Sequence, residues 1–208
     1  MRRGRLQIAE DMNLEARENG GTRKSRRREA LLAEMESIFL EEGFAAVTVD
    51  GLAKRLKCSK RTLYEIAPTK QDIVLLVVER WLARVRRMGR IAALGQDGPQ
   101  RRIFAYVRPG VTETKKASRK FLEDIQSFEP ALLALKDHQK QRMEMLEEII
   151  EDGISKGRFR KCHAHLFAEI LLAAVNRINE PDCLDAAGVG FSEAFDELYD
   201  IILNGVLV

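Results

Sequence analysis

Long apolar runs are missing from this chain of 208 residues, and none approaches the roughly 20 residues that a membrane-spanning helix needs. The first residues include arginines but no apolar stretch followed by a cleavage site, so we expect no export signal. Cysteine is also scarce, and Cys58, Cys162 and Cys183 are widely separated. An odd, scattered set argues against a disulfide framework. We therefore expect a protein of the reducing cytoplasm without membrane contact.

Catalytic motifs are missing as well. The sequence contains no glycine-rich phosphate loop, no HExxH pair, no nucleophile elbow and no CxxC motif. His163 and His165 follow Cys162, and these residue types can bind metals. Residues two apart on a helix do not face one site, so we interpret this run as a surface turn. The sequence predicts no catalytic residue, no cofactor and no metal site, and we do not expect an enzyme.

The net charge of +3 conceals an uneven distribution along the chain. Residues 1–21 contain four Arg against four Asp and Glu and end in two glycines, which predicts a flexible N-terminal extension. Residues 22–90 contain 16 Lys and Arg against 9 Asp and Glu, whereas residues 91–208 contain 15 against 19. A basic part followed by an acidic remainder is typical of a DNA-binding domain joined to a domain that does not bind DNA.

The stretch Val47–Lys70 contains two short helical patterns separated by a few residues. Thr48 and Ser59 precede the two patterns, and both residue types cap helix N-termini. Apolar residues recur on one face of each pattern, and the small Ala53 would allow the helices to cross closely. The spacing predicts a helix-turn-helix, in which the polar half of the second helix enters the major groove of DNA.

The second helix of this motif is the predicted recognition helix. Lys60 and Arg61 are long enough to reach phosphates or guanine edges. Thr62 and Tyr64 can donate hydroxyl hydrogen bonds to the DNA backbone.

Two further basic elements flank the motif. Residues 22–28 read TRKSRRR and are interpreted as a basic arm ahead of the first helix, Glu29–Glu42. Such an arm contacts phosphates or the minor groove of DNA. The alternative interpretation is a solubilising tail. Lys70, in the first turn of a long helix, is expected to hold a phosphate. The complete set of predicted DNA-binding residues is Arg23, Lys24, Arg26, Arg27, Thr48, Ser59, Lys60, Arg61, Thr62, Tyr64 and Lys70.

The chain resembles the TetR family of bacterial transcriptional regulators in the run S-K-R-T-L-Y-x-x-x-P-T-K, from Ser59 to Lys70. The usual form in that family is close to S-x-G-T-L-Y-x-Y-F-x-S-K, followed by a long helix. The preceding E-G-F-x-x-V-T-V-x-x-L-A, from Glu42 to Ala53, is similar to the same family. Three residues depart from the pattern: Lys57 stands in the turn where glycine is usual, Arg61 replaces a common glycine, and Ala67 replaces phenylalanine.

Helical periodicity continues beyond the motif. Pro99 is expected to open a short helix that ends near Val107, followed by a turn at 108–110 and a helix capped by Thr112 or Thr114. The long helix that starts at Thr69 has a predicted inward stripe of Ile73, Val77, Trp81, Val85 and Met88.

The fold that these patterns predict is all-α. An N-terminal three-helix helix-turn-helix DNA-binding domain is joined by a long helix to a helical C-terminal domain for ligand binding and dimerisation. The predicted divisions are an extension at 1–21, a DNA-binding domain at 22–70 and an effector-binding and dimerisation domain at 71–208.

An effector pocket is expected between the C-terminal helices. Asp124 shares a helix face with neighbouring aromatic residues, so it could bind a cationic effector; the alternative is an edge position paired with a residue such as Lys120. The other candidates are large apolar residues, each of which could equally be ordinary core. The predicted lining is Trp81, Phe104, Phe121, Asp124, Phe128, Met143 and Phe167.

The last two helices are the most apolar of the chain, which predicts a homodimer interface at Leu171, Val175, Phe195, Leu198 and Ile202. The TetR resemblance implies a four-helix bundle made from two such pairs. The combined interpretation is a dimeric regulator that binds palindromic double-stranded DNA, represses transcription and is released by an unknown small molecule. Two alternatives stay open: an effector-independent DNA-binding dimer, and a helical carrier or enzyme whose basic face binds an acidic partner.

Overall fold

The structure is a computed structural model that describes residues 23–178 and 181–206, so the predicted extension at 1–21 lies outside the described residues. Within the described ranges the chain forms helices and no β-strand, which confirms the all-α prediction. The helices are α1 Arg23–Glu42, α2 Val49–Arg55, α3 Lys60–Tyr64, α4 Lys70–Leu94, α5 Pro99–Thr114, α6 Arg119–Ser127, α7 Glu129–Ser155, α8 Ala164–Arg177, α9 Pro181–Ala187 and α10 Phe191–Val206.

The helices belong to two compact units. The N-terminal unit contains the described residues up to Trp81 together with residues 117–134, and the C-terminal unit contains residues 82–116 and the described residues from 135 onward. The continuous helices α4 and α7 each contribute residues to both units. The N-terminal unit is therefore built from two separate stretches of the chain, and it includes α6.

The core of the N-terminal unit is formed by the apolar faces of both its long and its short helices. Helices as short as α2 and α3 are marginal in isolation, so their stability comes from packing onto the longer helices. Each fully buried Leu, Ile or Phe contributes roughly 1.5–3 kcal/mol. The buried core residues include Leu31, Met35, Phe39, Leu52, Leu63, Ile73, Val77, Phe121 and Ile125.

Aromatic rings join α6 to the segment between α1 and α2. Phe44 makes edge contacts with Phe39, Phe121 and Phe128 at centroid distances of 6.0, 5.9 and 6.2 Å. Trp81 contacts Phe121 at 5.3 Å. Such pairs contribute about 0.5–1.5 kcal/mol each beyond the area they bury. The segment that leads into the helix-turn-helix is thus held by residues 77 or more positions away in sequence.

Two helix boundaries differ from the prediction. Helix α1 begins at Arg23, so the described part of the predicted arm at 22–28 forms the first turns of a helix. Helix α5 continues through Pro109 to Thr114, so the predicted turn at 108–110 is wrong. The early start of α1 agrees with the good helix propensity of Arg and Lys. In α5, a proline inside the helix costs about 3 kcal/mol, and the buried residues on both sides of Pro109 can offset this cost.

The predicted cap of α6 was also misplaced. Thr112 and Thr114 lie inside α5 and donate to the carbonyl oxygens of Arg108 and Gly110. Ser118 is the N-cap of α6, and its hydroxyl accepts from the Phe121 amide at 3.2 Å.

The C-terminal unit has a second apolar core. Met88, predicted to face inward, is 37% exposed, while Gly89 and Ala93 are buried instead. A Cβ added at Gly89 would lie 2.8 Å from the carbonyl oxygen of Tyr106, so glycine lets α4 approach α5 closely. The core of this unit includes Ile103, Phe104, Val107, Leu146, Ile150, Phe159, Ala168, Leu171, Val175 and Phe195.

This core overlaps the predicted dimer interface. Leu171, Val175 and Phe195 are buried within the chain, whereas Leu198 and Ile202 are partly buried and pack against the same core, so three of the five residues lie in the interior of one subunit. Among the side chains that the structure describes, the large apolar residues that α8 and α10 expose are different: Leu166, Ile170 and Ile201 are 58%, 57% and 64% exposed. The prediction named a pair of helices that carries exposed apolar surface, but three of its five residues are buried within one chain.

Within the described residues, no helix is both long enough and apolar enough to cross a membrane.

Candidate nucleic-acid interface

Helices α2 and α3 begin at hydroxyl caps, as predicted. The side-chain oxygen of Thr48 accepts from the Gly51 amide at 3.0 Å, and that of Ser59 accepts from the Thr62 amide at 3.1 Å. Each such cap stabilises its helix by about 1 kcal/mol. The caps therefore define where both short helices start, and with them which residues of α3 face outward.

The turn between α2 and α3 requires one unusual backbone conformation. Lys57 has a φ of 49°, in the left-handed region that a non-glycine residue enters at a cost of about 1 kcal/mol. The amide of Cys58 then donates to the carbonyl oxygen of Ala53 at 3.0 Å. This conformation explains why the family pattern has glycine where the chain has Lys57.

Helix α3 is anchored by one residue and exposes the rest. Leu63 is fully buried, whereas Lys60, Arg61 and Tyr64 are exposed and Thr62 is partly exposed. The side chain of Arg61 is 89% exposed. The residue types that can contact phosphates and base edges thus lie together on the outer face of the helix.

Carboxylates of the same motif pair with both cations of α3. Lys60 Nζ lies 2.5 Å from Asp50 Oδ1, and this hydrogen bond and charge raise the pKa of Lys60. Arg61 Nε lies 3.3 Å from Glu65 Oε1. Exposed pairs of this kind contribute only about 0–1 kcal/mol, so a DNA phosphate can replace the carboxylates at little cost.

Lys70 is positioned by a backbone contact. Its ammonium donates to the carbonyl oxygen of Ala45 at 2.8 Å. The N-terminus of its helix is capped by Thr69, whose hydroxyl accepts from the Asp72 amide at 3.1 Å and donates to the Asp72 carboxylate at 2.6 Å. The predicted phosphate contact of Lys70 would therefore be made by an ammonium that also holds the segment ahead of α2.

The basic residues of the predicted arm lie on the first turns of α1. Arg23, Lys24, Arg26 and Arg27 are all exposed. Arg27 also donates from Nη2 to the carbonyl oxygen of Leu56, at the end of α2, with a distance of 3.5 Å. The contact connects the basic turns of α1 to the helix-turn-helix.

Asp124 has a role that the sequence did not reveal. Its Oδ2 atom accepts from the amides of Phe44 and Ala45 at 2.6 and 2.8 Å, and its side chain is nearly buried. Gly43, with a φ of 79°, brings the backbone so close that an added Cβ would lie 2.5 Å from the same oxygen. The carboxylate is therefore a structural anchor for the segment ahead of α2, a role that neither of the two sequence-based interpretations of Asp124 included.

The predicted effector pocket divides between the two units. Trp81, Phe121, Asp124 and Phe128 belong to the N-terminal unit, where they surround Phe44 or contact its neighbours. Phe104, Met143 and Phe167 belong to the C-terminal unit. There, Phe104 contacts Phe195 and Tyr199 at centroid distances of 5.6 and 4.1 Å, and Met143 and Phe167 pack against the core.

The two neighbouring histidines near Cys162 have ordinary partners. His163 is the N-cap of α8, where its Nδ1 accepts from the Leu166 amide at 3.5 Å. His165 Nδ1 lies 2.7 Å from the carboxylate of Glu147, and this contact raises the pKa of His165. Across the described residues, no group of three or more His, Cys, Asp or Glu is placed to hold a metal ion.

These features define the N-terminal unit as a helix-turn-helix domain of the kind found in DNA-binding regulators. In agreement, residues 31–77 match the family model of bacterial regulatory proteins, tetR family. The N-terminal unit is therefore identified as a DNA-binding domain of the TetR family of bacterial transcriptional regulators.

Individual relatives cover nearly the whole chain. An uncharacterised HTH-type transcriptional regulator, YvaF of Bacillus subtilis strain 168, is 21% identical over 181 residues, which are 85% of this chain and 93% of YvaF.

Solved structures show the same fold at low identity. A putative transcriptional regulator from Saccharomonospora viridis in complex with choline is 16% identical with a TM-score of 0.74, over 88% of this chain and 99% of that one. The TetR-family regulator PfmR from Thermus thermophilus is 24% identical with a TM-score of 0.61, over 84% of this chain and 97% of PfmR.

Proposed function

We propose that this TetR-family regulator binds a palindromic operator as a homodimer, represses transcription and is released when a small molecule binds its C-terminal unit. The observation that carries the DNA-binding part is the outer face of α3, where Lys60, Arg61 and Tyr64 are exposed around the buried Leu63. A short capped helix with exposed cations and hydroxyl groups can enter the major groove and read base edges.

A dimer is proposed because one small helix-turn-helix buries too little surface for tight and specific binding. Two copies related by a twofold axis would contact half-sites one helical turn apart, about 34–36 Å. Leu166 and Ile170, four residues apart on α8, and Ile201 on α10 provide exposed apolar side chains for such an interface. These three residues join the partly exposed Leu198 and Ile202 of the predicted set, whereas Leu171, Val175 and Phe195 are buried within one chain.

The effector part of the proposal draws on the separate C-terminal unit and on the choline bound by the Saccharomonospora viridis regulator. An effector that binds one conformation of the dimer more tightly shifts the population toward it. If that conformation spaces the two recognition helices wrongly for successive major grooves, DNA affinity falls.

Arg61→Ala tests the proposed DNA contact. We expect it to weaken operator binding by roughly 1–3 kcal/mol and to relax the preference at one base position, because a guanidinium can donate two hydrogen bonds to guanine. The measurement is fluorescence anisotropy on DNA selected from a random pool by the wild-type protein, at several salt concentrations. Affinity should fall steeply with salt, since each neutralised phosphate adds about 0.9 to the log–log slope.

Arg119→Ala is the matched control for Arg61→Ala. Arg119 also pairs with a carboxylate four residues ahead, and its side chain is 93% exposed against 89% for Arg61. We expect the Arg119→Ala variant to bind DNA as tightly as the wild type does. If both variants lose the same affinity, Arg61 contributes only general charge; if neither binds less tightly, Arg61 does not contact the operator.

Ile170→Glu tests the proposed dimer interface. Burying a carboxylate in an apolar interface is costly, so we expect dissociation into monomers and a loss of specific DNA binding. Sedimentation velocity over a concentration series measures the oligomeric state. Leu133→Glu is the control, because Leu133 is equally exposed at 57% but lies on α7; a dimer that survives in Ile170→Glu would contradict the interface.

A further inference from the structure

The ion pair between Lys60 and Asp50 connects the two helices of the helix-turn-helix. Asp50 lies in the first turn of α2, and Lys60 is the first residue of α3. The distance from Lys60 Nζ to Asp50 Oδ1 is 2.5 Å, and both side chains are more than half exposed. Arg61, the other cation of α3, pairs instead with Glu65, four residues ahead of it. Of these two pairs, only that of Lys60 depends on how α2 and α3 pack together.

The backbone on both sides of the Lys60–Asp50 pair is held in place. The hydroxyl oxygens of Ser59 and Thr62 lie 2.9 Å apart, and together with the Ser59 cap this contact fixes the first turn of α3. Leu52 and Leu63 are 1% and 0% exposed and anchor α2 and α3 in the core. The carboxylate and the ammonium therefore extend from positions that the motif itself determines.

A closer partner along the chain is available to Asp50. Lys54 follows it by four residues on α2, and an acid and a base at this spacing on a helix commonly pair. Lys54 is exposed, yet within the part of the chain that the structure describes Asp50 pairs with Lys60 and not with Lys54. The packing of α3 beside α2 thus selects the partner, and helical spacing does not.

A paired ammonium differs from a free one in the contacts that it can make. It has three N–H donors at the end of a flexible stem. Asp50 occupies one donor, and the two that remain match the two acceptors, O6 and N7, that guanine presents in the major groove. The carboxylate also offsets the positive charge that attracts phosphates of any sequence. Pairing therefore retains the directional contacts of Lys60 and reduces the non-directional attraction.

We propose that Asp50 is a positioning residue that directs Lys60 to a guanine, and that it thereby sets the preference at one base pair of each half-site. The inference rests on the proposed function, in which α3 enters the major groove. Because an exposed pair is weak, a phosphate can still displace Asp50, but doing so costs binding free energy on sequences without that guanine. Asp50 was absent from the predicted DNA-binding residues, since a carboxylate by itself repels phosphates.

Asp50→Asn tests this role. Its side chain is 60% exposed, so the substitution leaves the core intact. Fluorescence anisotropy at several salt concentrations measures binding to the selected DNA, to variants of it with single base pairs replaced, and to a random duplex of equal length. We expect random-duplex binding to tighten about 2- to 5-fold. Its log–log salt slope should steepen by about 0.9 per subunit, because the released ammonium neutralises another phosphate.

The base preference is the decisive measurement on Asp50→Asn. A good bidentate contact discriminates between base pairs by about 5- to 150-fold. We expect most of this discrimination to disappear at one base pair of each half-site and to persist at the others. Wild-type preferences at every base pair in the Asp50→Asn variant would overturn the proposal.

Glu42→Gln is the matched control. Glu42 forms an exposed ion pair with Arg55 of α2, and their side chains are 42% and 46% exposed. The substitution removes the same charge from the same unit but leaves Lys60 paired, so we expect the base preferences of the wild type. The same change of preference in Glu42→Gln and Asp50→Asn would reduce the effect to general charge and overturn the proposal.

A double variant shows whether Asp50 acts through Lys60. Lys60→Ala should lose the preference at the same base pair as Asp50→Asn does. Adding Asp50→Asn to Lys60→Ala should then change neither that preference nor the affinity for the random duplex, because no ammonium is left to position. If the added substitution tightens random-duplex binding as much as it does in the wild type, Asp50 repels phosphates directly and the proposal is wrong.

The same measurements separate this inference from the proposed function. Specific binding by the wild type, together with a Lys60→Ala variant that keeps every base preference, overturns the positioning role of Asp50 and leaves the DNA-binding proposal standing. A wild-type protein that binds no duplex at low salt overturns the proposed function and the inference with it.

Discussion

Asp124→Ala is expected to lower the free energy of unfolding by about 2–4 kcal/mol. One carboxylate oxygen accepts from the amides of Phe44 and Ala45 at 2.6 and 2.8 Å, and hydrogen bonds to a charged group contribute about 1.5–3 kcal/mol each. Phe44 is buried, so its amide would lose its partner without gaining water. Ala45 is exposed, and its amide can be hydrated, which keeps the total below the sum of two full bonds.

Two further variants show whether the loss comes from the hydrogen bonds that Asp124 accepts or from the removal of a negative charge. Asp124→Asn keeps an oxygen that can accept from both amides, so we expect a loss of only about 1 kcal/mol. Glu123→Ala removes the neighbouring carboxylate, which is exposed and pairs with Arg119 at 2.8 Å, and should change stability by less than about 0.5 kcal/mol. Urea unfolding at neutral pH measures all three variants. Equal losses in Asp124→Ala and Glu123→Ala would contradict the anchoring role.

His138 is expected to make the fold less stable as the pH falls. Burial, followed by the charges of Arg142 and Arg86, lowers the pKa of His138 from 6.5 to about 3. The unfolded chain therefore binds a proton at His138 between pH 6.5 and about 3, whereas the folded protein does not. Its contribution to stability is fully present above pH 6.5 and decreases by about 1.4 kcal/mol for each pH unit below it, until about pH 3.

The variant that tests this contribution is His138→Gln, which cannot titrate but retains an acceptor for Arg86. Other carboxylates also titrate in this range, so the measured quantity is the difference between wild type and variant in urea unfolding from about pH 7 to about pH 5. We expect the wild type to lose roughly 2 kcal/mol more than the variant over the acidic part of that interval. Parallel pH profiles of the two proteins would show that His138 titrates normally in the folded state.

Local signals made the helix-turn-helix predictable. Thr48 and Ser59 cap the helices that follow them, and a cap acts within about three residues of chain. Lys57 has the positive φ that the turn position requires. The burial of Leu63 and the exposure of Arg61 follow from helical periodicity once Ser59 marks the first turn.

Proline and apolar periodicity were less reliable signals. The basic residues from Arg23 onward carry no apolar period, so their helical conformation was hidden. Pro109 was interpreted as a turn, yet α5 passes through it because Tyr106 and Val111 are buried on either side. In α5, tertiary packing outweighed the preference of proline for a turn. The N-cap of α6 therefore lies at Ser118 and not at Thr112 or Thr114.

The sequence by itself determined the all-α class, the helix-turn-helix with its caps and turn, and the outward face of α3, because these depend on interactions within a few residues. The tertiary structure decided that Asp124 anchors the segment at Phe44, that Leu171 and Val175 are interior while Ile170 is exposed, and that Arg142 lies against Tyr106. Each of these contacts joins residues far apart in the chain or selects between two apolar faces of one helix. Periodicity identifies such faces, but only the packing of the other helices decides which of them is buried.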